Sequence, residues 1–259
     1  MKRGKGRLPF ATALAEVPPA RPVSVPRVAV TPAARTKLPC DVQLCLVIDR
    51  TGSSGKFKLG IPESARIIAN YVTTKARSTV IWVISYGDYE AGQQEEVHLD
   101  GGTPEQAIEA IKKIEYGGGG EIAGPYGDPE NHLDAVEFAL GRVPWTSDPT
   151  RSRGCIILFS SSESHKARSG ATATQIGEQV KGKGVLLYLI SEPTPLLQEL
   201  AAAGGGLIFQ ITNTPDPTEL QKIAAPVAAS IAASLTRGST LPMGSGGNDA
   251  QVSGTASQA

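Results

Sequence analysis

VQLCLVIDRTGS, residues 42–53, is the stretch that decides the fold. It opens with an almost continuous apolar run, which is typical of a strand buried on both faces of a parallel sheet. A carboxylate, Asp49, and two hydroxyls, Thr51 and Ser53, then follow at alternate positions around Gly52. Because parallel sheets bind ligands at the carboxyl ends of their strands, this polar turn is the first place to look for a functional site.

Apolar runs alternate with helical patterns outward from this stretch. The pattern predicts an α/β fold with a doubly wound, mainly parallel six-stranded sheet, Rossmann-like, and helices on both faces. Gln94–Leu99 alone alternates apolar and polar residues, so it is predicted to be the antiparallel edge strand. The other later strands are predicted at Val80–Ser85, Cys155–Phe159, Val185–Ile190 and Leu207–Ile211.

Helices are predicted between these strands. Thr103-Pro104-Glu105 and Asp128-Pro129-Glu130 each offer an N-cap residue followed by proline at the first helical position. Pro226 is expected to kink or interrupt the last helix. The remaining helical patterns cover Ile61–Val72, Thr174–Lys181, Pro195–Ala203 and Thr218–Thr236.

The charge is unevenly distributed, although the formal net charge is zero. Residues 1–38 carry eight Lys or Arg against Glu16 alone, and prolines crowd residues 18–32. We therefore predict a disordered, basic, Pro-rich arm over 1–37. The alternative is that this arm binds nucleic acid or an anionic surface. The folded domain is predicted at 38–238, followed by a disordered low-complexity tail at 239–259.

Three cysteines do not form a disulfide framework, so a reducing, cytoplasmic compartment is expected. Cys45 and Cys155 lie in apolar runs and are predicted to be buried. No apolar stretch is long enough to span a bilayer. The segment Leu8–Ala15 is too short and too weakly apolar for the core of a signal peptide.

The turn after the first strand suits a hard cation, because one carboxylate and two hydroxyls are the ligands that Mg²⁺ accepts while it keeps several waters. The alternative is a plain strand-to-helix turn capped by Asp49 and a serine. A phosphate-binding loop is excluded, because Arg50 stands where that motif needs glycine and Phe57 follows Lys56.

Four segments resemble those of the von Willebrand factor A family, in the same order. Asp49-x-Thr51-x-Ser53 resembles the start of its metal-ion-dependent adhesion site. Tyr86-x-Asp88 resembles the end of its second strand. Two further segments are similar to its second loop and its fourth strand: the run Gly117–Glu121 with Gly127–Asn131, and Ile156–His165.

This resemblance implies a binding module and not an enzyme: a Mg²⁺ ion, or Mn²⁺, at the carboxyl ends of the strands accepts an acidic side chain from a protein partner. Two departures matter, because Asp128 stands where the family has threonine and Ser161 where it has aspartate. The implied partner is an ATPase, kinase or protease of a multi-component system. The implied metal ligands are Asp49, Thr51, Ser53, Asp128, Glu121 and Ser161.

Two other functions are weighed against this one. The first is a metal-free scaffold domain of the same fold. The second is a hydrolase that uses Ser161 and His165. It is disfavoured, because no Gly-x-Ser-x-Gly elbow surrounds Ser161 and the sequence shows no acid to orient the histidine. His165 is expected in an exposed loop near the site, and His132 and His98 on the surface. Trp82 is expected in the core, and Lys112 on a solvated helix face.

Overall fold

The computed structural model describes residues 40–117, 130–146, 148, 150–160, 162–211, 217–236 and 242. All of them belong to the second of the chain's two units, Thr36–Ala259. The predicted arm and all of the predicted tail except Pro242 lie outside the described residues. The predicted domain boundaries therefore remain predictions.

Six strands form one sheet in the order β3-β2-β1-β4-β5-β6. All neighbours are parallel except β3, which runs antiparallel to β2 at the edge. This confirms the predicted fold class and the predicted edge strand. The strands are β1 (Asp41–Asp49), β2 (Ser78–Tyr86), β3 (Glu96–Gly102), β4 (Ser152–Phe159), β5 (Leu186–Ser191) and β6 (Leu207–Gln210).

Helices cover both faces of the sheet, which explains why the inner strands β1, β2, β4 and β5 are mostly apolar. Along β1, Leu44 and Leu46 face one core and Cys45 and Val47 face the other, because successive side chains alternate between faces. The first core is closed by α1 (Gly60–Lys75), α2 (Pro104–Lys112) and α6 (Pro217–Thr236). The second is closed by α3 (His132–Arg142), α4 (Ala173–Gly182) and α5 (Pro195–Gly204).

The predicted start of α2 is confirmed, and the predicted start of α3 is wrong. Thr103 caps α2 and forms a reciprocal capping box with Gln106. Helix α3 begins only at His132, because Glu130 is extended and forms a parallel β-bridge with Ser164. Glu130 thus pairs with a segment distant in sequence and does not join the helix that the local capping pattern predicts. Asp128 and Pro129 lie outside the described residues.

Several other residues lie as the sequence predicts. Trp82, Cys45 and Cys155 are buried, and the two cysteines lie on adjacent strands but face opposite cores. The predicted interruption at Pro226 is wrong, because helix α6 runs through that proline from Pro217 to Thr236. Lys112 is exposed and pairs with Glu109 on its own helix. Among the described residues, no helix has the length and apolar character needed to cross a membrane.

Candidate functional site at the carboxyl end of β1

The turn after β1 brings Asp49, Thr51 and Ser53 together. Asp49 ends the strand and is only 1% exposed. Its Oδ1 accepts hydrogen bonds from the Thr51 backbone N–H at 2.9 Å and from Thr51 Oγ1 at 2.7 Å. The Ser53 hydroxyl lies 3.0 Å from Thr51 Oγ1 and is on the exposed side of the turn. Three of the six predicted ligands are therefore neighbours.

Two further contacts fix the shape of this turn. Ser54 donates from Oγ to Asp49 Oδ2 at 2.6 Å, at the start of a short 3₁₀ helix, Ser53–Phe57. The Arg50 N–H donates to the Tyr86 carbonyl at the end of β2, so the backbone stays paired for one residue beyond β1. Hydrogen bonds from nearby hydroxyls thus fix the orientation of the Asp49 carboxylate without a ligand.

The other predicted ligands, Glu121, Asp128 and Ser161, lie outside the described residues. What the structure does place are their neighbours in sequence. Ser160 and Ser162 flank Ser161 and are buried, and Glu130 is buried close after Asp128. The backbone N–H of Glu130 donates to the Glu163 carbonyl at 2.8 Å, which joins the loop before α3 to the loop after β4.

The donor chemistry fits a hard divalent cation, because one carboxylate and two hydroxyls within hydrogen-bonding distance supply oxygen ligands only. The carboxylate count is low for such a site. Within the described ranges, no group of three or more His, Cys, Asp or Glu side chains is arranged to hold a metal ion. Asp49, Thr51 and Ser53 bring oxygen donors together, but with a single carboxylate among them.

Sequence analysis missed a buried polar network behind the turn. His132 is fully buried, not on the surface as predicted. Its Nδ1 lies 3.1 Å from the Glu130 carbonyl oxygen, and its Nε2 is hydrogen-bonded to Ser160 Oγ. Burial lowers the pKa of His132 to about 3, so the ring is neutral near pH 7. The ring of Tyr86 packs edge-on against it, with centroids 5.3 Å apart.

The spacing of apolar residues along α3 indicates that His132 is buried. His132, Val136 and Ala139 follow one another at intervals of four and three, so His132 shares the inner stripe of α3. Tyr86 donates from its hydroxyl to the Phe159 carbonyl at 3.1 Å, in the same network. Burial, and secondarily the charge on Asp49, raises the pKa of Tyr86 well above its ordinary value.

The remaining two histidines are also more buried than a surface position implies. His98 lies on the edge strand as predicted but is partly buried there: its side chain is 13% exposed, and its Nε2 lies 2.7 Å from Ser85 Oγ. His165 lies in the loop after β4 with a side chain 29% exposed, and its Nε2 is 3.9 Å from Asp88 Oδ1. His165 thus lies at the rim, facing a buried carboxylate.

A serine–histidine contact does exist, but it is Ser160 with His132. Ser160 is 4% exposed and His132 is completely buried. A hydrolytic nucleophile must reach its substrate, and this pair does not reach solvent. The contact instead joins the end of β4 to the start of α3, which is a structural role.

A second polar cluster braces the loops at the same end of the sheet. The guanidinium of Arg168 lies 3.2 Å from the ring centroid of Tyr89, in the loop after β2. Asp134 on α3 accepts a hydrogen bond from the Arg168 backbone N–H at 2.9 Å. Asn131 accepts from the Tyr89 N–H at 2.9 Å and donates to Asp134 at 3.2 Å. Burial raises the pKa of Glu95, whose carboxylate accepts from the Tyr89 hydroxyl.

Comparison with known proteins bears on the fold alone. No protein-family model matches the sequence, and no curated protein matches it. Among solved structures, the VWA domain of SpRpn10 matches with a TM-score of 0.54 and 13% sequence identity. The match covers 70% of this chain and 92% of that chain. The chain therefore has the fold of a VWA domain.

Proposed function

We propose that this domain is a binding module, not an enzyme, and that it recognises a protein partner at the turn after β1. Asp49, Thr51 and Ser53 hold a divalent cation, Mg²⁺ or Mn²⁺, together with Asp128, Glu121 or Ser161. The observation that carries this proposal is the convergence of one buried carboxylate and two hydroxyls at the carboxyl end of the central strand.

The exposure of the turn supports recognition of a macromolecule. Asp49 and Thr51 are buried, whereas Ser53 and Gly52 are exposed, so the site opens to solvent on one side. A divalent cation keeps coordination positions for water, and an acidic side chain of a partner can replace one of these waters. Such charge-assisted contacts are strong where the surrounding interface excludes water.

The second candidate function is a scaffold of the same fold that binds no metal. The observation that favours it is the low number of acids at the site. Asp49 is the one carboxylate that the described residues bring to this turn, and Ser161 stands where the resembled family has aspartate. Under this alternative, partner binding is independent of divalent cations.

Calorimetric titration of the full chain with MgCl₂ and MnCl₂ tests the proposal. We expect saturable binding to the wild type and none to Asp49→Asn. Asparagine is preferred to alanine because its side-chain oxygen can still accept from Thr51, whereas alanine would leave buried hydroxyls without an acceptor. Asp41→Asn, at the opposite end of the same strand, is the matched control and should bind as the wild type does.

Two outcomes would contradict the cation site. One is the absence of binding to the wild type, and the other is equal binding by Asp49→Asn. For the partner, the domain can be immobilised and exposed to cell extract in Mg²⁺ or in EDTA. The expected partners are proteins that the wild type retains in Mg²⁺ but that are lost in EDTA and with Asp49→Asn. Proteins retained equally under all three conditions support the metal-free scaffold.

A further inference from the structure

The two edges of the sheet are built differently. Edge strand β3 carries Glu96 and Asp100, whose side chains are 53% and 50% exposed and pair with Arg50 and Arg142. Its pairing with β2 is also broken by two register shifts. Exposed charge and bulges are the usual devices that keep a sheet edge from pairing with another chain.

Edge strand β6 is short, with four residues, but it has neither exposed charge nor a register shift. Its pairing with β5 is regular from Leu207 to Gln210, and no residue from Gly204 to Ile211 is ionisable. All of β5 is buried, whereas the three apolar side chains of β6 are only partly buried. Within the described part of the chain, no strand pairs with the outer side of β6.

The backbone of β6 offers hydrogen-bonding groups at defined positions. Ile211 donates its N–H to the Ser191 carbonyl on β5 at 3.3 Å. Because backbone groups alternate sides along a strand, Phe209 also directs its N–H and C=O toward β5. Ile208 and Gln210 therefore direct theirs outward, away from the sheet.

We propose that a second copy of this chain binds here, with β6 pairing antiparallel to β6 across a two-fold axis at Phe209. Ile208 of each copy then lies opposite Gln210 of the other, and the two pairs exchange about four backbone hydrogen bonds. The two sheets join into one continuous sheet. Two strands, β4 and β5, separate this surface from β1, so it is independent of the proposed cation site.

The absence of charge on β6 favours a second copy as the occupant. An isologous interface places each residue against the same patch of its partner, so a charged strand would repel itself, and this strand carries no charge. Phe209 meets its own counterpart at the non-hydrogen-bonded position, where side chains approach most closely. Aromatic cross-strand pairs of this kind stabilise antiparallel sheets.

Sedimentation equilibrium of the full chain, with and without one substitution, tests this proposal. We expect the wild-type mass to rise from 27.0 kDa toward twice that value as the concentration increases. Gln210→Pro removes an outward N–H while it spares the groups that face β5, and should remain monomeric with a normal circular dichroism spectrum. Gln210→Val keeps the N–H and should associate as the wild type does.

Cysteine cross-linking tests the register. Phe209→Cys should form an intermolecular disulfide on mild oxidation, since the two Cα atoms would be about 4.5 Å apart. Gln210→Cys is offset from its own counterpart and should not cross-link. The proposal is overturned if the wild type stays monomeric at every concentration, if Gln210→Pro associates equally, or if both cysteine variants cross-link alike.

Discussion

At the scale of single residues, Asp49 illustrates how much of a site local sequence can determine. The alternating spacing predicted that Thr51 lies beside the carboxylate, two positions away, but the second hydroxyl that bonds to Asp49 belongs to Ser54 and was not among the predicted residues. The turn is self-contained. The ligands that a cation would need from distant loops depend on Asp128, Glu121 and Ser161, and these remain predictions.

Ser161 provides the first prediction at this scale. Under the proposed ligand set, Ser161→Asp should tighten Mg²⁺ binding in calorimetry, because it adds a second carboxylate to the ligands of the cation. Ser161→Asn has nearly the same size without the charge and should bind as the wild type does. Weaker binding by the aspartate variant would show that residue 161 does not face the cation.

His132 provides the second prediction. Burial lowers its pKa in the folded protein to about 3, below the value near 6.5 of an unfolded chain, so protonation favours unfolding. Its contribution to stability is complete above about pH 6.5 and is lost as the pH falls toward 3. Between pH 7 and pH 5 the free energy of unfolding should fall by about 2 kcal/mol from this residue alone.

Urea unfolding at both pH values checks this expectation. His132→Gln should be less stable than the wild type at pH 7, since the bonds to Ser160 and the Glu130 carbonyl are altered. Its loss of stability on going to pH 5 should be smaller by about 2 kcal/mol. An unchanged pH dependence would mean that His132 is accessible to protons in the native state.

Residues whose partners are distant in sequence explain where prediction from the sequence failed. His132 was predicted to be exposed because a histidine in a first helical turn usually is, but Ser160 and Tyr86 enclose it from two strands. The contact between Arg168 and Tyr89 could not be predicted either, because these residues lie in loops that are distant in sequence and meet only in the folded protein. Periodicity identifies a buried stripe but not its polar partners.

At the scale of elements, the same contrast holds. All six strands and the edge position of β3 follow from apolar runs and alternation, which are properties of contiguous residues. The start of α3 does not, because Glu130 is drawn into a bridge with Ser164. Local capping signals are overridden wherever the backbone finds a partner from another loop.

Helices α4 and α5 give the element-scale prediction. A Cβ atom on Gly177 would lie 2.6 Å from the Leu200 carbonyl oxygen and 2.7 Å from the Gly204 nitrogen, both in the backbone of α5. Gly177→Ala should therefore force the helices apart and cost about 1–3 kcal/mol, although alanine is the better helix former.

Gly182→Ala is the matched control in the same helix. No atom lies within 4 Å of a Cβ at that position, so the change should leave stability unchanged or raise it by up to about 1 kcal/mol. Urea denaturation of the two variants separates steric contact from helix propensity. Equal effects of the two substitutions would contradict the close approach of α4 and α5.

At the scale of the whole molecule, the predicted division is a domain at 38–238 with a basic arm before it. Deleting residues 1–37 should leave the melting temperature within about a few degrees, because segments outside a packed core contribute little to stability. Circular dichroism melts of the two chains provide the measurement. A large loss of stability would show that the arm packs on the domain.

The central position of β1 has a consequence for the order of folding. Asp41 pairs with Ser78 on one side and with Ser152, much further along the chain, on the other. Parallel pairings between strands distant in sequence close large loops and therefore form slowly. Strands β1 and β2 can pair early, whereas β1 can pair with β4 only after the second half of the chain is present. Until then one flank of β1 stays open to other chains, and during synthesis the Asp49 turn emerges from the ribosome well before β4. Because the proposed ligand set includes Ser161, which follows β4, cation binding should appear in refolding experiments only with the slowest phase.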